Sequence, residues 1–312
     1  MASNSEIPSD QEQTTNKVAE ALTAGVTGGW ESLEVTVYNA NPEIARPFKL
    51  VASVFQSAWQ GRELAWRLFN RNLQGMYRQT LLGLAWIFLP PLANTAIWVF
   101  LRNQKVLQFE LPEDVDQTVY ILTGMILWQA FIEAFQMPLN SINSNRSMVS
   151  KLNFPREALL AEGLGEVLFN FFVRLGLLIP AMLIFGAPFY WSAIVSVGVA
   201  CLLILFATGL GMLIMPFGSL YQDVGRLMAV GLPFWMILTP IIYAPPKSFP
   251  GSMLSWLNPA SPLLIAARDY LLLGSTENHV ALYFGLLAIP IFLFGLIVFR
   301  VSMPALIERM TN

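Results

Sequence analysis

The sequence predicts an all-α, polytopic membrane protein: six transmembrane helices, an N-terminal interfacial amphipathic helix and an outer re-entrant helix pair. Three observations predict it. Apolar residues make up 55% of the chain and charged residues only 12%, about half the charged share of an ordinary soluble domain. Between Arg174 and Asp223 lie 48 residues without a charge, and a single helix of that length would run to about 72 Å, so the segment must fold back. The stretch Arg71–Pro91, RNLQGMYRQTLLGLAWIFLPP, carries a basic amphipathic pattern directly into an apolar segment.

Residues 1–49 form a separate polar region. Seven acids outnumber three bases there, and Ser, Asn, Thr and Gln dominate up to Asn16. It lacks the basic start and apolar core of a secretory signal, so no cleavage is expected. Its early part has a disordered composition, and Val35–Tyr38 has the make-up of a short strand. Residues 50–78 read as one amphipathic helix. Val51, Val54, Phe55, Ala58, Ala65, Leu68, Phe69, Leu73 and Met76 share one face, and Gln60, Glu63, Arg67, Arg71, Gln74 and Arg78 the other. That suits a helix lying in the headgroup layer, apolar side down; the alternative is a helix packed on a protein core.

Residues 79–300 hold the expected spans at about 79–101, 118–139, 158–185, 190–217, 227–243 and 280–299, with Gly186-Ala187-Pro188 as the turn inside the long uncharged run. With the N-terminus in the cytoplasm, the inner side carries Arg62, Arg67, Arg71, Arg78, Arg146, Lys151, Arg156, Arg226, Arg300 and Arg309. The outer side then carries Arg102, Lys105, Lys247 and Arg268. Ten bases against four favour this orientation, with both termini expected to be cytoplasmic and residues 301–312 a cytoplasmic tail. Glu110, Glu113, Asp114 and Asp116 make the first outer loop acidic.

The stretch from Ser248 to Ala267 is uncharged but holds Pro250, Gly251, Pro259 and Pro262, punctuation that a straight span does not tolerate well. Two short helices dipping into the outer leaflet, at about 253–257 and 263–272, fit better, and backbone at that depth must be shielded by protein or line water. A seventh span would put the basic C-terminal end outside.

Several chemistries are excluded. A net charge of −2 is not that of a basic nucleic-acid binder. The single cysteine, Cys201, lies in an apolar run, and the single histidine, His279, cannot build a multi-histidine metal site. There is no Gly-Lys dipeptide, so no phosphate-binding P-loop, and no Gly-x-Ser-x-Gly, His-Glu-x-x-His or Cys-x-x-Cys. No catalytic or metal-binding residues are therefore assigned, and no ATPase activity of its own is expected. Glu133, Glu162, Glu166 and Arg174 fall inside predicted spans, where ionisable groups are costly and either pair within the bundle or serve transport.

The inner loop from Asn143 to Glu157 is longer than a turn needs and mixes bases with apolar knobs. A short helix at 146–152 would present Met148, Val149 and Leu152 to a partner groove, with Pro155 ending it; the alternative is an ordinary basic turn. On span two, Tyr120, Trp128, Phe131 and Phe135 lie within about 80° of one another at 100° per residue, and span one adds Trp86, Trp98 and Phe100. Such an aromatic face can line a path or pack a core, and the same period serves both.

Four blocks then resemble the membrane subunit of ATP-binding-cassette exporters for bacterial cell-surface polysaccharides, the O-antigen, capsule and teichoic-acid permeases. They are Arg71-Asn72-Leu73 through Tyr77–Trp86 with Pro90, Lys151–Glu157 (KLNFPRE), Tyr221–Arg226 (YQDVGR), and Leu257–Pro262 (LNPASP) with Arg268. They keep the family's order over about residues 63–300. The resemblance implies a half-transporter in the cell inner (plasma) membrane, working as a homodimer with two copies of a separate nucleotide-binding subunit. That subunit, not this chain, would bind ATP and magnesium, and a lipid-linked glycan would pass outward. Arg67, Arg71, Arg146, Met148, Lys151, Phe154, Arg156 and Glu157 would couple to the ATPase. Trp86, Trp98, Tyr120, Trp128, Phe131 and Phe135 would line the path, and Asn258, Pro259, Pro262 and Arg268 would build the outer re-entrant region. Competing classes are a permease of the same architecture for a drug or small lipid, and a membrane-embedded glycan transferase. The latter should show catalytic acids in a water-facing loop.

Overall fold

Helix α4, Gln117–Ser144, is the axis of the bundle: from Val119 to Leu139 most of its side chains are buried. Asp116 starts it, its carboxylate accepting from Thr118 N at 2.7 Å and Val119 N at 3.4 Å, which satisfies two of the donors a helix start leaves open. In this computed structural model the described residues are 47–78, 81–106, 111–112, 115–152, 154–246, 248–249, 251–276 and 279–311, all within the unit Glu43–Asn312. The expected polar region before residue 47, the Val35–Tyr38 strand, Glu110, Glu113, Asp114, Asn153, Lys247 and Pro250 lie outside them.

Around α4 the chain runs α1 Pro47–Gln60, α2 Arg62–Arg78, α3 Ala85–Asn103, then after α4 the short α5 Arg146–Lys151, α6 Glu157–Ile184, α7 Ala193–Leu220, α8 Gln222–Leu238, α9 Gly251–Leu257, α10 Ser261–Leu272 and α11 Val280–Thr311. Among the described residues, α3, α4, α6, α7 and α11 are long and apolar enough to cross a membrane. α7 is the second core helix, packed against α4, α10 and α11, while α6 and α3 flank α4. Small residues allow the closest approaches. A Cβ on Gly295 would stand 2.8 Å from the Gly209 carbonyl oxygen, and one on Gly209 would stand 2.9 Å from the Phe292 backbone, the small-residue packing expected where helices associate without water.

Several expectations change. The amphipathic segment is two helices broken at Gly61, where a Cβ would meet Ala158 Cβ at 3.0 Å. Its apolar face is not free: Val54, Ala65 and Leu68 are buried, with α1 and α2 packed on α6 and α1 also on α11. Nor does it run unbroken into the first span, since Leu81–Leu84 is non-helical with Gly83 at φ +49°. The helix expected to end near Tyr243 stops at Leu238: Thr239 is extended at φ −94°, ψ 131°, as a residue before proline prefers. At 17 residues α8 is about 26 Å long. The tail expected from residue 301 instead continues α11. The Gly186 turn is present, at φ +68°, and two short helices stand where the re-entrant pair was expected.

Candidate functional site

One polar cluster lies at the end of the bundle that carries α5. Asn145 joins α4 to α5, its amide donating to Ser141 O at 3.0 Å. Its side-chain oxygen accepts from Arg71 Nη2 at 3.4 Å. One residue on, Asn72 Nδ2 donates to Glu162 Oε1 at 2.7 Å. The amphipathic helix α2 is thus latched to α6 and to the α4–α5 corner through neighbouring residues on one face. Those residues are separated by 74 and 90 positions in sequence, which is why periodicity missed them.

Of the residues expected to couple to an ATPase, Arg67, Arg71, Arg146 and Lys151 are exposed, and Arg67 pairs along its own helix with Glu63 at 2.6 Å. Met148 and Phe154 are half-buried against the core, and Arg156 is also half-buried. The short helix α5 does not offer the three expected knobs together: Val149 is buried in this chain's own core, and Leu152 is exposed. Glu157 is buried and faces inward, accepting from Arg300 Nη1 at 3.2 Å. Arg300 also reaches Ser57 Oγ at 3.5 Å, so the pair ties α6 to α11 and α1 rather than standing on the surface.

Deeper in the bundle, Arg174 of α6 is buried. Its Nε donates to Ile87 O at 3.0 Å, its Nη1 donates to Glu133 Oε2 at 2.9 Å, and its Nη2 binds Glu133 Oε1. Asn170 Nδ2 donates to the same carboxylate at 3.5 Å. The charge pair links α3, α4 and α6, the arrangement expected of ionisable groups inside a membrane bundle.

The opposite end is built around the LNPASP block. Asn258 Nδ2 donates to Thr239 Oγ1 at 2.7 Å, and its Oδ1 accepts from Trp235 Nε1 at 2.8 Å and Ala260 N at 3.1 Å. Pro262 opens α10 in its first turn, where a missing N–H costs nothing, and Pro259 lies in the bend between α9 and α10. Fully buried Arg268 donates from Nη1 to Pro240 O and Ile241 O, both at 2.9 Å, and its guanidinium lies 3.9 Å from the Tyr120 ring centroid. These contacts satisfy two carbonyls of the non-helical segment that follows α8.

The aromatic residues divide. Tyr120, Trp128, Phe131 and Phe135 are all buried, at 4% exposure or less. Trp128 stacks on Phe131 at 5.1 Å and Phe131 on Phe135 at 6.0 Å, while Trp235 of α8 stands edge-on to all three. Within this chain the column is therefore packed, contrary to the expected open lining. Trp98 is half-buried, and Trp86 is 51% exposed. Among the described residues, no group of three His, Cys, Asp or Glu side chains could hold a metal ion.

The family profile described as ABC-2 type transporter matches residues 63–272, from the start of α2 to the end of α10. Similar curated proteins include two from Klebsiella pneumoniae, each named O-antigen export system permease protein RfbA. One is 23% identical over 67% of this chain and 80% of its own length, the other 22% identical over 66% and 78%. A protein of the same name from Myxococcus xanthus is 23% identical over 59% of this chain and 70% of its own. Since the profile covers more than half of the sequence, the chain belongs to the ABC-2 type transporter family, as a multi-pass membrane transport subunit that works with an ATP-binding partner.

Proposed function

We propose that the chain is the permease half of an exporter that moves a lipid-linked, O-antigen-like polysaccharide from the cytoplasmic side of the inner membrane outward. The similarity to three O-antigen export permeases, each aligned over at least 70% of its own length, carries this reading. In it, two copies of the chain form the path. Two copies of a separate ATPase bind ATP and magnesium, docking on the end that holds α5 and α2, where Arg67, Arg71, Arg146 and Lys151 are exposed. Both termini are cytoplasmic. α8 is the sixth crossing, completed beyond Leu238 by the segment that Arg268 pins. α9 and α10 are the outer re-entrant pair, their backbone shielded by protein as irregular structure at membrane depth requires.

The exposed apolar faces of α3 (Trp86, Leu89, Ile97) and α8 (Leu227, Val230, Phe234) meet lipid or the second copy, and the path forms between copies. Trp86 stands on it, and the Trp128–Phe131–Phe135 column stiffens the wall behind it. A strain lacking its O-antigen permease tests the reading. Supplying this chain with its cognate ATPase should restore surface O-antigen. Intracellular accumulation of glycan, with both proteins present at normal levels, would contradict it.

A further inference from the structure

Two polar stripes face each other between α4 and α6. On α4 the spacing Glu133, Gln136, Asn140, Ser144 advances by three or four residues, and on α6 Glu162, Glu166, Asn170 advances by four. Residues at such intervals share one helix face. Polar faces inside a bundle usually zip together through hydrogen bonds. Here they instead bound a cavity of about 290 Å³, closed on one side by Asn72 of α2. Its wall is incompletely paired. Asn170 is only 7% exposed, yet its Oδ1 has no donor among the described residues. No described group donates to Glu166, whereas Glu133 is neutralised by Arg174 and Glu162 accepts from Asn72. A buried acceptor left without a donor costs about 1–3 kcal/mol, so the Asn170 oxygen calls for a partner, while the Glu166 carboxylate is half-buried on the same wall.

We propose that this cavity is a binding site for one hexose-sized, hydroxyl-bearing sugar unit, on the cytoplasmic half of the exporter; it rests on the polysaccharide-export reading. The volume would hold about ten waters at liquid density, room for a single pyranose ring. Sugar hydroxyls both donate and accept. They supply donors to Asn170 Oδ1 and the Glu166 carboxylate, and they accept from the amides of Gln136 and Asn140. A phosphate or pyrophosphate head would instead meet an uncompensated carboxylate. The latch between Asn72 and Glu162 forms part of the wall, so an occupant would touch the same residues that hold α2 in place.

The test uses the full complex of this chain with its ATPase in lipid nanodiscs. The probe is delipidated O-antigen polysaccharide, released from the host strain by mild acid and labelled at its reducing end. Binding should saturate and weaken about tenfold in Glu166→Gln, the loss of one charge-assisted hydrogen bond. Asn140→Ala, at an exposed position where folding is not at stake, should weaken it as well. Wild-type affinity in both variants, or saturation by inorganic phosphate instead of sugar, would overturn the proposal. So would an absence of probe binding by a complex that still exports glycan, which would leave the cavity a water pocket and the exporter reading intact. A wild-type complex that moves no glycan at all would remove the exporter reading, and this proposal with it.

Discussion

Replacing Arg174 with Met should destabilise the folded protein by about 3–5 kcal/mol, the usual cost of breaking a buried ion pair from one side. Arg174 makes one bond to the Ile87 carbonyl and two to the Glu133 carboxylate. At about 1.5–3 kcal/mol for each hydrogen bond to a charged group, the gross attraction is about 4.5–9 kcal/mol, against several kcal/mol per ion for desolvation. The net worth of the intact pair is therefore small. The cost of the single variant comes from the Glu133 carboxylate left behind, with a side chain only 22% exposed. Glu133→Met alone should be similarly harmful, because it strands Arg174, while the double variant Glu133→Met/Arg174→Met should recover most of the loss. Thermal unfolding of the purified protein in nanodiscs, run as a double-mutant cycle, measures this. Coupling below about 0.5 kcal/mol, the scatter for independent sites, would refute the reasoning.

Other contacts make separate predictions. Arg268→Ala should lower the unfolding temperature and open the 239–246 segment to protease, because Pro240 O and Ile241 O lose their donor; unchanged protection would mean that Arg268 is not the pin. Trp128→Ala should reduce abundance and glycan export in proportion, as loss of about 3–5 kcal/mol in a packed core requires, and normal abundance with reduced export would return the ring to the path. Charge reversal at two exposed positions, Arg146→Glu with Lys151→Glu, should leave membrane insertion intact but markedly reduce co-purification of the ATPase. Full co-purification would move the docking face elsewhere.

Local patterning announced much of this fold. Long apolar runs marked α3, α4, α6, α7 and α11, the basic loop announced the short helix α5, and the Pro-rich stretch near residue 255 announced α9 and α10. What could not be read was pairing at a distance. Asn72 with Glu162, and Arg300 with Glu157, sit 90 and 143 positions apart, and no period encodes such a choice. The aromatic stripe shows a second barrier: a helix face that lines a pore and one that fills a core repeat at the same 3.6 residues, so only the placement of Trp235 decides between them. The facing stripes on α4 and α6 are legible one at a time, as Glu, Gln, Asn and Ser at three- or four-residue steps, but their opposition depends on the packing of α4 on α6.

In the proposed exporter this chain provides the path while a separate ATPase drives it. Proteoliposomes loaded with lipid-linked O-antigen allow ATP hydrolysis and glycan transfer to be followed together. The purified chain alone should hydrolyse no ATP, and ATP-dependent transfer should occur only when both the chain and the ATPase are present. Hydrolysis by this chain alone, or transfer by ATPase-containing liposomes that lack it, would refute this division of labour.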